Sequence, residues 1–177
     1  MRIVAGSRKG ARLFAPKGLD TRPTGDRVRE AVFNLVGPVD GASVLDLYAG
    51  SGAMGLEALS RGAGSAVFVE ADREACRTIQ RNLDKLGLTS AEIACRDTLR
   101  FLAAEHRRFD LILVDPPYDM VESVAVRLAL YLPAVLAENG LVALESSSRD
   151  EPQLPPLHPR TSRRYGAARV TLFEAPA

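Results

Sequence analysis

The residues best suited to chemistry are Asp115-Pro116-Pro117-Tyr118, which close the apolar run Phe109 to Val114. Two consecutive prolines remove two backbone donors and stiffen the turn, so its carbonyls and the Asp115 carboxylate present only acceptors. Acceptors hold an –NH2 group. Tyr118 beside them offers a ring face on which a flat base stacks. An exocyclic amine held in this way can be turned until its lone pair faces a methyl donor. That is catalysis mostly by positioning, with the proton lost during or after transfer. The plainer alternative is a Pro-Pro pair that only ends a strand, and the elements around it decide between the two.

The first of those elements is the stretch Ser43 to Leu59. An apolar run interrupted by Asp46 leads through Tyr48-Ala49-Gly50-Ser51-Gly52-Ala53-Met54-Gly55 into apolar residues at helical spacing, Leu56 and Leu59. The pattern predicts strand, glycine turn, helix. Gly50, Gly52 and Gly55 let the backbone approach a ligand, and the helix opening near Ser51 or Gly52 turns unpaired N–H groups toward it. The same spacing fits the G-x-G-x-x-G of dinucleotide binders, so the turn alone does not choose a cofactor.

Further along, Ala66 to Val69 reads as a strand closed by Glu70, and Glu92 to Cys95 as one closed by Asp97. Asp72 is expected to cap a helix with Cys76, Ile79, Leu83 and Leu86 inward and Gly87 as its stop. A helix with Leu99, Leu102 and Ala103 follows Asp97, and one from about Glu122 carries Val126, Leu130 and Leu136, with a fresh turn at Pro133. Leu141 to Glu145 is a fifth strand, Pro152 to Pro159 a surface loop, and Ser162 to Tyr165 with Arg169 to Glu174 a closing hairpin. Strands alternating with helices imply a mostly parallel α/β sheet covered on both faces, which binds ligands beyond the carboxyl ends of its strands. Asp46, Glu70, Asp97 and Asp115 fall in or at the ends of the first four strands. One such acid is often a helix cap, but four in succession favour a site. Glu70 can accept both ribose hydroxyls of a nucleoside and Asp97 an adenine amine, in NAD or S-adenosylmethionine alike. Asp46, costly to bury without partners, is expected to brace the glycine loop.

The chain has 177 residues, 46% of them hydrophobic, and a net charge of +1. That suits one domain with a small appendage. No apolar run approaches the roughly 20 residues of a membrane span, and the opening lacks a signal peptide, so a cytoplasmic protein without membrane contact is expected. Cys76 and Cys95 show neither metal-ligand spacing nor a disulfide framework, and His106 and His158 have no partner ligands nearby, so no metal is expected. Residues 1–35 carry eight basic residues against Asp20, Asp26 and Glu30, a net +5 that leaves −4 for the remainder. Arg8 and Lys9 lie between strand-like Arg2 to Ala5 and Ala11 to Phe14, where a hairpin tip would suit a phosphate backbone. Residues 1–20 are therefore expected to be a basic hairpin arm, and 21–177 the catalytic domain. Thr24 is a plausible N-cap for a helix to about Leu35, striped by Ala31, Val32, Leu35 and Val36 and stopped by Gly37-Pro38.

Val44 to Gly64, Phe68 to Asp72, Asp97 and Asp115 to Tyr118 resemble the motifs of S-adenosylmethionine-dependent amino-methyltransferases. With Arg22 to Asn34 and the opening Arg2 to Gly6, nearly the whole chain resembles the RsmD-type small-subunit ribosomal RNA guanine-N2 methyltransferase family. The N-terminal block is more specific than the tetrapeptide, which DNA adenine and cytosine amino-methylases share in related forms. Tyr165-Gly166 resembles the family's last hairpin, while 146–160 match nothing. The resemblance implies a Rossmann-like class I methyltransferase fold, with a seven-stranded sheet whose final pair is antiparallel. It also implies S-adenosylmethionine as cofactor and ribosomal RNA within a partly assembled 30S particle as substrate, for a monomeric enzyme. By motif, Thr24, Asp46, Tyr48, Gly50, Gly52, Gly55, Glu70, Asp97 and Thr98 would hold the cofactor, and Asp115, Pro116, Pro117 and Tyr118 the guanine. Candidate RNA contacts are Arg2, Arg8, Lys9, Arg12, Arg22, Arg27, Arg29, Arg164 and Tyr165.

Without the resemblance, the residues favour base methylation but choose neither guanine over adenine nor RNA over DNA. An NAD-dependent oxidoreductase would use the glycine turn and Glu70 similarly, but should show an acid–base residue that this chain lacks. A non-catalytic RNA-binding module would leave the Asp115 motif idle.

Overall fold

The computed structural model describes residues 1–17 and 25–177. In chain order the elements are α1 (Asp26–Val36), β1 (Ser43–Leu47), α2 (Ala53–Ser60), β2 (Ser65–Glu70), α3 (Arg73–Leu86), β3 (Ala91–Cys95), α4 (Thr98–Ala104) and β4 (Phe109–Val114). After a 3₁₀ turn (Tyr118–Met120) come α5 (Val121–Leu128), α6 (Leu132–Val135), β5 (Leu136–Ser147), β6 (His158–Tyr165) and β7 (Ala168–Glu174). The strands form one sheet in the order β3-β2-β1-β4-β5-β7-β6. β1 pairs parallel with β2 and β4, β2 with β3, and β4 with β5, whereas β7 runs antiparallel to β5 and β6. This is the Rossmann-like class I methyltransferase arrangement, with the final pair antiparallel.

β1 and β4 are buried on both faces, which is why Val44-Leu45 and Leu111 to Val114 read as continuous apolar runs rather than alternating ones. One core layer gathers Val44, Phe68, Leu111 and Leu113 under α1, α2 and α3, and the other gathers Leu45, Ile112, Val114 and Phe173 under α4, α5 and α6. α3 follows its pattern: the Asp72 carboxylate accepts the Ala75 amide at 2.8 Å, and Gly87 ends the helix at φ 63°. In α4 the buried apolar residues are Phe101 and Leu102, with Ala103 exposed.

α5 departs from expectation. Val126 and Leu130 are 68% and 77% exposed, and Val121, Val124, Ala125 and Leu128 pack inward. Both sets have helical spacing, so the sequence offered two phases and the packing selected the other. Leu136 opens β5 instead of continuing the helix. The Pro-rich loop is not wholly a surface feature either, because Leu154 and Leu157 are buried in the second core layer.

The N-terminal segment also differs from the expected arm. It does turn back on itself, with an Arg2–Arg12 antiparallel bridge and bonds from Ile3 N to Ala11 O (2.9 Å) and Gly10 N to Ile3 O (2.8 Å). However, it is fastened to the domain. The Glu57 carboxylate accepts the Val4 and Ala5 amides at 2.9 and 3.0 Å, Ser60 Oγ accepts the Arg8 amide at 2.9 Å, and Ile3 is 1% exposed. Buried acceptors on α2 make the segment part of the packed domain. Gly25 takes the cap position of α1, with no side-chain cap bond; Thr24, expected there, lies outside the described residues, as does Arg22.

Candidate active site

The parallel strands β1 to β5 bring their carboxyl ends to one edge of the sheet, and antiparallel β7 returns the β6–β7 turn to that same edge. Asp46, Glu70, Asp97, Asp115, Glu145 and the Arg164-Tyr165 pair therefore share one end of the molecule. Two clefts, of about 350 and 400 Å³, lie elsewhere, around Val39 and Asp40 and at the starts of β1, β2, β3 and β4. A sheet of this topology binds ligands at the carboxyl ends, so neither cleft competes with the acid-lined edge.

The glycine turn is built for close approach. Gly52 caps α2 at φ 81°, and a side chain at Gly55 would place its Cβ 2.4 Å from the Phe68 ring. Among the described residues, nothing lies within 4 Å of where a Cβ on Gly50 would point. Asp46, 2% exposed, accepts the Gly55 amide at 2.9 Å and braces the turn from beneath. Glu70 holds it from the side, accepting the Gly50 amide at 2.8 Å and the Asp72 amide at 2.9 Å. Asp97 is exposed and accepts the Arg100 amide at 3.0 Å, so it caps α4 just beyond Cys95, the last residue of β3. Tyr48 leaves β1 in the left-handed region, φ 58°, a strained conformation for a tyrosine. Burial, with Asp97 adding, pushes the pKa of its phenol upward.

Asp46 beneath the turn is shifted by its surroundings. The Asp46 carboxyl is pushed well above the ordinary carboxylate range, chiefly by burial, with Asp115 and Glu70 adding to the rise and the Gly55 amide opposing it. Asp46 also occupies the amide of Gly55, one of the α2 N-terminal donors that a pyrophosphate would use. The residues present thus fit S-adenosylmethionine and disfavour a dinucleotide.

At the neighbouring strand end, Asp115 and Tyr118 are half-buried, Pro116 is buried and Pro117 exposed. The Tyr118 hydroxyl donates to Glu145 Oε1 at 3.0 Å, so β5 fixes the ring that follows β4. Glu145 is 6% exposed and carries no sequence motif; only its place at the end of an apolar strand marks it, as with the other four acids. The two cysteines, unrelated in sequence, converge on the backbone of Glu70. Cys95 is its register partner, and the Cys76 thiol, pushed up to about 12 mainly by burial, donates to its carbonyl.

The basic residues divide into two groups. Lys9, Arg12, Arg27 and Arg164 are exposed, as is Arg2 beside Asp26, and Tyr165 is half-buried against the core. Arg8 is half-buried, its Nε donating to Leu86 O at 2.6 Å at the end of α3. Arg29 is 0% exposed, so the expectation that it contacts RNA is corrected. It bonds Glu57 Oε2 (3.3 Å), Asp26 Oδ1 (2.8 Å) and the Arg2 carbonyl. The reason is helical phase: Arg29 lies on the face of α1 that also buries Val32 and Phe33.

Comparison with known proteins agrees with this geometry. A family model described as Conserved hypothetical protein 95 matches residues 1–174. Ribosomal RNA small subunit methyltransferase D of Haemophilus influenzae is 34% identical over 88% of this chain and 83% of its own. The protein of that name from Escherichia coli K12 is 41% identical over 67% of this chain and 60% of its own. The solved structure of YhhF from Escherichia coli superposes with a TM-score of 0.88 at 34% identity, covering 99% of each chain. The chain therefore belongs to this family, that of the RsmD-type, S-adenosylmethionine-dependent methyltransferases.

Proposed function

We propose that this protein transfers a methyl group from S-adenosylmethionine to the exocyclic N2 amine of a guanine in small-subunit ribosomal RNA. The observation that carries this is the meeting, at one sheet edge, of an acceptor-only turn with a braced glycine loop and Glu70. The cofactor supplies an activated methyl on a sulfonium. Asp115 and the carbonyls of its turn accept the amine hydrogens, and Tyr118, held by Glu145, stacks on the extruded base. The Asp115 carboxylate is placed to take the proton released. Guanine N2, rather than another amine, follows the family resemblance. The exposed cations Arg2, Lys9, Arg12, Arg27 and Arg164 would meet phosphates and fix register without reading sequence. We further propose a monomeric, cytoplasmic enzyme acting on a partly assembled small subunit.

A transfer assay with labelled S-adenosylmethionine and total RNA, with DNA in parallel, tests the assignment. The expected product is N2-methylguanine in small-subunit RNA. Label in DNA or on adenine would reassign the substrate, and no label in either would favour the binding-module alternative.

A further inference from the structure

Asn82, on α3, is 0% exposed, and its side-chain amide makes three hydrogen bonds. Oδ1 accepts the Phe14 amide at 2.7 Å, while Nδ2 donates to the Phe14 carbonyl at 3.1 Å and to the Ser51 carbonyl at 3.0 Å. The orientation of the amide is fixed by these partners: flipped, it would set its oxygen against two carbonyls and its donors against an N–H. Asn82 thus closes a strand-like pair of bonds with Phe14 and gives its remaining hydrogen to the cofactor turn.

The Ser51 carbonyl belongs to the same rigid peptide unit as the Gly52 amide, which donates to Ala49 O at 2.8 Å. That unit is therefore held on both sides, by Asn82 at its carbonyl and by Ala49 at its N–H. It sits between Gly50, whose amide Glu70 holds, and α2, which starts at the next residue. On the other side of Asn82, the Phe14 ring lies under the Arg81 guanidinium (4.1 Å) and Lys85 Nζ (4.8 Å), and Lys85 donates to Arg12 O at 2.7 Å.

We propose that Asn82 is a positioning residue for the cofactor turn, joining the backbone of the N-terminal segment to Ser51 so that the segment forms part of the S-adenosylmethionine site. The inference rests on that cofactor. The segment that carries Lys9 and Arg12 is then continuous, through one side chain, with the loop that holds the methyl donor.

The test compares Asn82→Ala with Ser60→Ala, measuring S-adenosylhomocysteine affinity by calorimetry, folding by circular dichroism and thermal melting, and KM against kcat for S-adenosylmethionine. Ser60 also anchors the segment, through the Arg8 amide and the Ala5 carbonyl, but bonds no residue of the turn. Asn82→Ala should weaken binding by roughly tenfold, about the size of one buried hydrogen bond, and raise KM with little change in kcat. Ser60→Ala should lower the melting temperature and leave affinity unchanged. If the alanine variant does not fold, Asn82→Ser, which keeps one shorter donor, gives the same reading. Wild-type affinity in a folded Asn82 variant, or equal weakening by Ser60→Ala, would overturn the proposal. Failure of the wild-type chain to bind S-adenosylhomocysteine would instead overturn the cofactor assignment beneath it.

Discussion

The Glu70 carboxylate accepts the Gly50 amide hydrogen at 2.8 Å, so the acid ending β2 and the first glycine of the turn after β1 form one unit. Its other oxygen accepts Asp72 N–H at the mouth of α3. Glu70 therefore shapes the turn, and we propose that it also meets the cofactor ribose. Glu70→Ala should weaken S-adenosylhomocysteine binding by about 1.5–3 kcal/mol for each charge-assisted hydrogen bond removed. Calorimetric titration checks this, and unchanged affinity in a folded variant would remove Glu70 from the site.

Asp46 gives a prediction in pH. Its pKa in the folded chain lies above the ordinary value, chiefly through burial, so the folded state keeps a proton over a window where the unfolded state has lost it. Stability falls as pH rises from the unfolded pKa through the raised folded one. Asp46→Asn keeps an acceptor for Gly55 and removes the titration. Urea melts across that window should show the wild type losing stability relative to the variant as pH rises. A constant difference would mean that Asp46 does not titrate there.

Asp115→Ala should abolish methyl transfer and keep most of the cofactor affinity. Tyr118→Ala should cost about 1–3 kcal/mol of base stacking, while Tyr118→Phe, which loses only the hydroxyl bond to Glu145, should cost less. Single-turnover rates on the RNA substrate order these variants. Wild-type rates for both Asp115→Ala and Tyr118→Ala would reduce the tetrapeptide to a strand terminator.

Arg29 and the exposed cations should separate cleanly. Arg29→Ala leaves the buried Glu57 without one of its partners and should destabilise the fold by about 3–5 kcal/mol, read from denaturant melts. Replacing Lys9 and Arg12 together by Ala should spare stability and weaken RNA binding. The slope of log affinity against log salt should fall by about 0.7–0.9 for each phosphate that is no longer neutralised. An unchanged slope would remove these two residues from the RNA surface.

Strand ends and the glycine turn were legible because apolar runs, acids and glycines are local signals. Asp46, Glu70 and the cap at Asp72 stand where periodicity placed them, whereas Asp97, read as the end of a strand, caps α4. Packing partners were less legible. Arg29 and Arg27 are both arginines on one helix, and only the docking of α1 buries the former. Val126 and Leu130 shared helical spacing with the set that packs inward, so period alone could not fix the phase. Asn82 and Glu57 bond backbone 68 and 53 residues away, and such a partner leaves no trace in a residue's own neighbourhood. The basic arm was inferred from charge, whereas its fastening depends on main-chain amides that carry none.

The assignment of guanine-N2 methylation is tested most directly by mass spectrometry of nucleosides from small-subunit ribosomal RNA, in cells with and without this protein. N2-methylguanosine should fall on deletion, return with the wild-type chain, and fail to return with Asp115→Ala. Unchanged N2-methylguanosine, with or without loss of a different methylated nucleoside, would contradict it.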